Sequence, residues 1–220
     1  MRRPEIVIAV PKGRILGELM PLFDKVGLKP EASFYDENSR QLSFSTNHTN
    51  VTLIRVRSFD VATFVAFGAA DLGVAGKDVL MEFEYPDLYA PVDLQIGHCR
   101  MSLAAPAELS ENQDFWRQSH IRVATKYVNI TRNFFAQRGI QAECIKLNGA
   151  LEIAPQYGLC QHIVDLVSTG GTLKANGLKE MEVITEITSR LIVHRGAYKT
   201  RSAAIGHWVT AFEEAVKDGN

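Results

Sequence analysis

Residues 6–14 read IVIAVPKGR, an apolar run that ends in proline, glycine and two cations. A short run rich in β-branched residues and bounded by charge and proline is typical of a strand buried on both faces. Apolar residues then recur at helical spacing up to Gly27, a residue that often ends helices. Pro21 within that stretch predicts an irregular first turn. The chain therefore begins with a strand followed by a helix.

The same alternation continues along the chain. Apolar periodicity predicts further strands at residues 41–45, 51–56, 71–75, 101–104, 122–125, 143–147, 163–167, 182–187 and 190–193. It predicts further helices at residues 59–67, capped by Ser58 and ended by Gly68, and at 77–83, 130–137 and 200–217. Repeated strand–helix units indicate an α/β fold with parallel sheets. For this length, two lobes of roughly 100 residues fit better than one very wide sheet.

Composition excludes several classes of protein. The 220 residues are 46% hydrophobic and 22% charged, which is ordinary globular usage and argues against disorder. A formal net charge of −1 provides no basic field, so we expect no nucleic-acid partner. The three cysteines form no CxxC pair, and no apolar run is long enough for a signal peptide or membrane span. We therefore expect a cytoplasmic protein without a membrane partner.

One segment has the composition of a phosphate-binding loop. Residues 165–173 read DLVSTGGTL, so a predicted strand ends in hydroxyls and glycines before a helical stretch. Backbone N–H groups of such a turn and the helix N-terminus attract an anion, and the hydroxyls can donate hydrogen bonds. The candidate ligands are Ser168, Thr169, Gly170, Gly171 and Thr172. An ordinary strand-to-helix turn is the structural alternative.

Two carboxylates accompany this loop. Asp165 precedes it and could accept hydrogen bonds from ribose hydroxyls or approach Mg²⁺, although a surface ion pair is equally compatible with the sequence. Glu152 lies 13 residues upstream, and sequence alone does not give the separation of the two groups. We assign Glu152 no role as a base and assign no residue as a metal ligand.

Five cations follow predicted strands or lie in a polar loop. Carboxyl ends of strands are where α/β sheets bind ligands, and cations there suit phosphate groups. Taken singly, each cation is more typical of a solvated surface charge, but five at comparable positions favour an anionic ligand. They are Lys12, Arg14, Arg40, Arg55 and Arg57.

Longer spacings resemble a known family. Glu152, Gly158 and the run from Ile163 to Leu173 are similar in kind and spacing to the characteristic motif of ATP phosphoribosyltransferases. Supporting similarities occur at residues 11–14, 55–57, 68–73, 124–127 and 174–178, so the resemblance spans about residues 6–195. Cys160 departs from the smaller residue usual in the family. The chain lacks the length of a C-terminal regulatory domain and therefore resembles the short form.

The resemblance implies a fold and domain limits. Members of the family have two α/β lobes like periplasmic binding proteins, with the active site in the interlobe cleft. By analogy, residues 1–90 form lobe I, which residues 179–220 complete. Residues 91–178 form lobe II and carry the phosphoribosyl-binding loop.

The resemblance also implies the first reaction of histidine biosynthesis, EC 2.4.2.17. N1 of the ATP adenine attacks C1 of phosphoribosyl pyrophosphate (PRPP), and pyrophosphate leaves with Mg²⁺ present. The implied roles are the 5-phosphate for residues 168–172 and the ribose hydroxyls for Asp165. The residues implied to bind pyrophosphate or the phosphates of ATP are Lys12, Arg14, Arg40 and Arg57, with Arg55 as a further candidate. Arg14, Arg40 and Arg57 are then catalytic, because they stabilise charge on the leaving group.

A partner is implied as well. Short-form members work with a regulatory subunit that resembles histidyl-tRNA synthetase, and the two assemble as a hetero-octamer. The main alternative is a non-catalytic cytoplasmic small-molecule-binding protein, because lobes of this kind need not catalyse. A regulatory subunit descended from an enzyme ranks last, since Asp165 and the loop are intact.

Overall fold

A computed structural model describes residues 6–36, 39–109 and 113–218, with residues 113 and 114 described by their backbone only. Within these ranges the chain forms eleven β-strands and seven α-helices. In chain order they are β1 Ile6–Pro11, α1 Arg14–Lys25, β2 Ser43–Ser45, β3 Val51–Val56, α2 Ser58–Ala66, β4 Leu72–Gly76, α3 Lys77–Phe83, β5 Leu88–Asp93, β6 Cys99–Pro106, β7 His120–Thr125, α4 Val128–Ala136, β8 Gln141–Lys146, β9 His162–Val167, α5 Gly171–Ala175, β10 Leu178–Ile187, β11 Ser189–His194, α6 Arg195–Thr200 and α7 Ser202–Lys217. Short 3₁₀ turns lie at Ala32–Tyr35, Gln113–Arg117 and Leu151–Ile153.

The first lobe contains a six-stranded sheet in the order β2-β3-β1-β4-β11-β5. Every residue of β1 is buried, because alternate side chains face opposite sides of the sheet and both sides are covered. Ile8 packs in a cluster with Phe23 of α1 and Phe212 of α7, whereas Ala9 packs with Val61 of α2. Helices on both faces therefore enclose the central strand, as the apolar run at its start predicts.

The second lobe contains a five-stranded sheet in the order β10-β6-β9-β7-β8. β9 is parallel to β7, and β7 is parallel to β8, while β6 pairs antiparallel with β9 on its other side. The central position of β9 matters because the candidate phosphate loop follows directly from its last residue, Val167. The edge strand β10 pairs antiparallel with β6 and has two register irregularities.

The lobe limits of the structure differ from the expected ones. The first lobe contains residues 1–80, 84–97 and 188–220, and the second contains 81–83 and 98–187. β5 pairs with β11 in the first sheet, so the first lobe extends past residue 90 to Gly97. β10 pairs with β6 in the second sheet, so the chain returns to the first lobe after Ile187 and not at residue 179.

Several local predictions need correction. Both sheets are mixed and not purely parallel, since β2, β5, β6, β10 and β11 pair antiparallel with their neighbours. Ser58 is the first residue of α2 and not its cap, a position that Arg57 occupies without a side-chain bond. α1 is one unbroken helix through Pro21, and the Gly13 carbonyl at its start accepts both the Leu16 N–H at 3.0 Å and the Gly17 N–H at 3.4 Å. The helix predicted at 200–217 is confirmed as α7, which begins at Ser202, whereas the short helix α6 before it was not predicted.

No helix in the part of the chain that the structure describes is long and apolar enough to cross a bilayer.

Candidate active site

The candidate phosphate loop follows β9 and leads into α5. Gly170 has a φ of 80° in the left-handed region, which a glycine adopts without strain, and it precedes the first residue of α5. The N–H of Gly171 faces Oγ1 of Thr169 at 3.4 Å, a long hydrogen bond within the turn. α5 has only five residues, so its dipole is small and the individual N–H donors of the turn matter most.

A cavity of about 170 Å³ lies against this loop, within the second lobe. All the residues predicted to bind the phosphoribosyl group line it, together with one that we left without a role. They are Asp165, Ser168, Thr169, Gly170, Gly171, Thr172 and, unassigned from sequence, Glu152. Folding therefore brings the two carboxylates of the motif to one cavity, although 13 residues separate them in the chain.

Asp165 is half-buried on β9. One of its carboxylate oxygens, Oδ1, accepts the N–H of the next residue, Leu166, at 2.8 Å, which fixes the side chain against the strand. Glu152 lies in the 3₁₀ turn Leu151–Ile153, after Ala150 with its φ of 53°. The spacing of the motif therefore reflects a turn and a strand that meet at one cavity.

The start of the loop is anchored by a residue that sequence reasoning missed. Nη1 of Arg100, on β6, donates to the carbonyl oxygen of Ser168 at 3.1 Å. Nε of Arg100 donates to both carboxylate oxygens of Glu180 at 3.0 and 2.9 Å. These bonds raise the pKa of Arg100 above its ordinary value. A lone arginine just before a predicted strand gave no signal, because its partner lies 80 residues away.

A second, larger cavity of about 690 Å³ lies in the first lobe. Three of the five candidate cations line it, along with residues of the 3₁₀ turn that sequence reasoning did not single out. The lining includes Lys12, Gly13, Arg14, Leu16, Gly17, Met20, Phe34, Tyr35, Ser39 and Arg55. Gly13, with a φ of 87°, turns the chain from β1 into α1.

Arg14 and Lys12 are exposed around this cavity. Nη1 of Arg14 lies 3.6 Å from Glu18 Oε1, one turn further along α1. Glu18 also accepts the N–H of Gly97 at 2.6 Å through its other oxygen. A half-exposed ion pair of this kind contributes little to stability, so Arg14 can turn toward an anion at small cost.

Arg55 differs from the other candidates because it is 7% exposed. Its Nη1 donates to the carbonyl oxygen of Phe34 at 2.9 Å, and its guanidinium lies 4.9 Å from the ring centre of Phe44. Arg55 and Arg57, both candidates for contacts with phosphate groups, therefore lie in different surroundings. Arg57 is exposed at the start of α2, while Arg55 fastens the 3₁₀ turn to the sheet.

Arg40 is exposed in the segment between the 3₁₀ turn at Ala32–Tyr35 and β2. The structure thus places Lys12, Arg14 and Arg55 around one cavity, and it places Arg40 and Arg57 on exposed segments of the same lobe.

Three titratable groups of the second lobe have shifted pKa values, and none of the three is an activated nucleophile. Burial raises the pKa of the Cys160 thiol and of the Cys144 thiol, which keeps both protonated. Burial lowers the pKa of His162 to about 4, and its ring packs against Phe115 with centroids 4.3 Å apart. His162 is therefore a neutral core residue. The arrangement suits a reaction driven by positioning and charge stabilisation, without a covalent enzyme intermediate.

Among the described residues there is no group of three or more His, Cys, Asp or Glu side chains that could hold a metal ion. Mg²⁺ commonly binds through one or two carboxylates together with substrate phosphates and keeps several waters. Glu152 and Asp165, on the cavity that carries the phosphate loop, fit that type of donor set.

Sequence comparison relates the chain to enzymes of known name. The model of the family HisG: ATP phosphoribosyltransferase matches residues 57–214. The ATP phosphoribosyltransferase of Paramagnetospirillum magneticum is 62% identical over 211 residues, 96% of either chain. That of Rhodospirillum rubrum is 63% identical over 211 residues, 96% of this chain and 93% of the relative.

Structure comparison supports the two-lobe fold. A chain of the ATP phosphoribosyl transferase (HisG:HisZ) complex from Thermotoga maritima matches with a TM-score of 0.81 and 30% identity, over 97% of this chain and 99% of that chain. The Bordetella pertussis BvgS VFT2 domain matches with a TM-score of 0.60 at 12% identity, over 97% of this chain and 87% of that one, and so shares the fold alone. The expected two α/β lobes like periplasmic binding proteins are confirmed. With these matches over nearly its whole length, the chain belongs to the ATP phosphoribosyltransferase family.

Proposed function

We propose that the chain transfers the phosphoribosyl group of PRPP to N1 of the ATP adenine, and that each of the two cavities binds a different part of the substrates. The cavity of the second lobe holds the phosphoribosyl group, and the cavity of the first lobe holds phosphates of ATP or the leaving pyrophosphate. One observation carries this assignment. The phosphate loop, Asp165 and Glu152 line a single cavity, as a sugar phosphate with adjacent hydroxyls requires.

The loop supplies donors for the 5-phosphate. Ser168, Thr169 and Thr172 offer hydroxyls, while Gly170 and Gly171 let the backbone approach the anion without a side chain in between. Asp165 lines the same cavity, where its carboxylate can accept hydrogen bonds from the ribose hydroxyls.

Mg²⁺ neutralises part of the pyrophosphate charge when it is bound. Glu152 and Asp165 are the residues that would hold it, together with substrate oxygens and water. Metal-free PRPP would then present its full charge next to these two carboxylates, so we expect binding of PRPP to require the ion.

The exposed cations of the first lobe stabilise the departing charge. Arg14, Arg40 and Arg57 act on the leaving group, and Lys12 holds a neighbouring phosphate. Arg55 supports this surface through Phe34 and lies at the same cavity. Positioning N1 of adenine and C1 of the ribose about 3–3.5 Å apart is the remaining requirement for transfer.

A partner subunit belongs to this proposal. The Thermotoga maritima chain to which this one is similar comes from a complex named HisG:HisZ. We propose that this chain likewise pairs with a regulatory subunit that resembles histidyl-tRNA synthetase, in a hetero-octamer, and that the complex works in the cytoplasm. The free thiols of Cys99, Cys144 and Cys160 suit a reducing compartment.

The test is an assay of the purified chain with ATP, PRPP and Mg²⁺, followed by product absorbance with and without the candidate regulatory subunit. Product from the chain alone, or only with the partner, supports the proposal and distinguishes regulation from activation. Binding of either substrate without product under both conditions would instead favour a small-molecule-binding protein.

A further inference from the structure

The phosphate loop begins with a peptide group whose direction is set from outside the loop. Nη1 of Arg100 donates to the carbonyl oxygen of Ser168 at 3.1 Å. In a trans peptide, this carbonyl and the N–H of Thr169 belong to one rigid plane and point in opposite directions. Holding the Ser168 oxygen therefore fixes where the Thr169 N–H points.

Arg100 can hold that oxygen because Glu180 holds Arg100. The carboxylate of Glu180 accepts from Nε at 3.0 and 2.9 Å, and Nη2 lies 2.8 Å from its Oε2. These contacts use one edge of the guanidinium fork and leave Nη1 aimed at Ser168. The side chains are 30% and 25% exposed, so the pair is only partly screened by water.

The strand pairing places Arg100 beside the loop. Arg100 of β6 is the register partner of Val167, the last residue of β9 before the loop. Glu180 belongs to β10 on the other side of β6, where its register partner is Ala104, and its side chain reaches Arg100 along the sheet. Both partners therefore project from paired strands of one sheet, and Arg100 connects Glu180 to the first peptide of the loop.

The charges exclude a simpler role for Arg100 as a phosphate ligand. A cation that already forms a bidentate pair with a carboxylate has most of its charge neutralised locally. A phosphate that approached Arg100 would also approach the Glu180 carboxylate, which repels it.

We infer that Arg100 and Glu180 are a positioning pair that fixes the Ser168–Thr169 peptide and thereby sets the affinity of the loop for the phosphate of PRPP. The inference rests on the proposed function, because it takes PRPP as the ligand of this loop. Neither residue contacts the substrate in this role.

The test compares Glu180→Gln and Arg100→Lys with a matched control, Glu143→Gln. Glu143 pairs with Arg122 across β7 and β8 of the same sheet, with Arg122 Nε 2.9 Å from Glu143 Oε2. PRPP binding in the presence of Mg²⁺ is measured directly by calorimetry, and KM for each substrate and the unfolding midpoint are measured alongside.

Both positioning variants should weaken PRPP binding by roughly tenfold to a hundredfold, the usual effect of losing one hydrogen bond to a charged group. KM for ATP and the binding of the control should stay at wild-type values. A double variant, Arg100→Glu with Glu180→Arg, can restore the ion pair but has no donor at residue 100 for Ser168. It should therefore recover the unfolding midpoint without recovering PRPP affinity.

Three results would overturn the inference. Unchanged PRPP affinity in Glu180→Gln would mean that the pair only stabilises the sheet. Tighter binding in that variant would mean that Arg100 contacts the phosphate itself, freed of a competing carboxylate. Wild-type protein that bound no PRPP would overturn the proposed function together with this inference, whereas wild-type binding with unaffected variants would overturn this inference alone.

Discussion

Arg55 and Arg57 show how two residues of one type, two positions apart, take different roles. Arg55 is on β3, where its guanidinium is buried between Phe34 and Phe44 and donates to a backbone carbonyl. Arg57 comes one residue after the strand, at the cap position of α2, and is exposed. Burial separates a structural cation from one available to an anion, and burial depends on the fold of the neighbouring segment.

This contrast predicts opposite effects of two alanine substitutions. Arg55→Ala removes packed side-chain atoms and leaves the Phe34 carbonyl without its donor, so it should lower the free energy of unfolding by about 2–4 kcal/mol. Arg57→Ala should change that free energy by less than about 0.5 kcal/mol while lowering turnover. Urea unfolding and steady-state kinetics of both variants measure the two effects. A stable Arg55→Ala with normal unfolding would contradict the assignment of Arg55 as a structural residue.

His162 gives the fold a pH dependence of known sign. Burial lowers its pKa from 6.5 to about 4. As the pH falls between these values, the unfolded chain takes up a proton on this group and the folded chain does not, so the stabilisation is complete above about pH 6.5 and is lost toward about pH 4.

Replacing this histidine should therefore flatten the pH dependence. The loss of unfolding free energy between about pH 7 and about pH 5 should be smaller in His162→Leu than in the wild type, because the variant has no such group to protonate. His207→Gln, at an exposed position on α7, serves as the control and should keep the wild-type dependence. Urea titrations at the two pH values provide the measurement, and equal losses in wild type and His162→Leu would argue against a buried neutral imidazole.

The phosphate loop depends on its turn more than on the helix that follows. α5 is too short for a strong dipole, and Gly170 supplies the left-handed residue that lets the chain reverse after β9. Gly177, which follows α5, has nearly the same backbone angle, with φ of 71° against 80°, but does not belong to the loop.

The two glycines form a matched pair for substitution. Alanine at either position strains a left-handed backbone, so Gly170→Ala and Gly177→Ala should each cost about 1–2 kcal/mol of unfolding free energy. Only Gly170→Ala should also raise KM for PRPP, because only that substitution can redirect the donors of the loop. A similar rise in both variants would show that stability, and not the geometry of the loop, determines substrate affinity.

Element types follow from the sequence where the local pattern is strong. The apolar run of β1 predicts a strand because both faces of that strand are buried. The apolar residues of α1 recur at helical spacing because only one face of that helix is buried. β5 is an edge strand and is missed because Pro91 and the exposed Tyr89 interrupt its alternation of apolar and polar residues. α6 is missed because its six residues span fewer than two helical turns and show no clear apolar period.

Strand direction is a property of partners, which explains why the sheets are mixed and not parallel. β11 returns from the second lobe and pairs antiparallel with β4, and β6 pairs antiparallel with β9. The candidate site likewise contains residues that local sequence predicts and residues that only tertiary folding brings together. Residues 165–172 could be predicted as one group because they are adjacent in the chain, whereas Tyr35, Ser39 and Arg100 reach their cavities or the loop through tertiary folding.

At the scale of the whole molecule, each lobe carries one cavity with its own chemistry. The first lobe combines exposed cations with Phe34 and Tyr35, and the second combines hydroxyls, glycines and two carboxylates. Apart from residues 81–83, which belong to the second lobe, the chain crosses between lobes after Gly97 and after Ile187, and each lobe has its own buried apolar cluster. Binding of PRPP to one lobe and of ATP to the other can therefore be tested by a method that reports ligand protection in each lobe separately.

Hydrogen exchange of backbone amides provides that measurement. PRPP with Mg²⁺ and without ATP should slow exchange in peptides that cover residues 165–173, because phosphate contacts hold the loop amides. ATP with Mg²⁺ and without PRPP should slow exchange around residues 12–20, where Lys12 and Arg14 lead into α1. Peptides from β8 serve as the internal control and should not respond to either ligand. Protection of the loop by ATP alone, with no change there on addition of PRPP, would reverse the assignment and move the phosphoribosyl site to the first lobe.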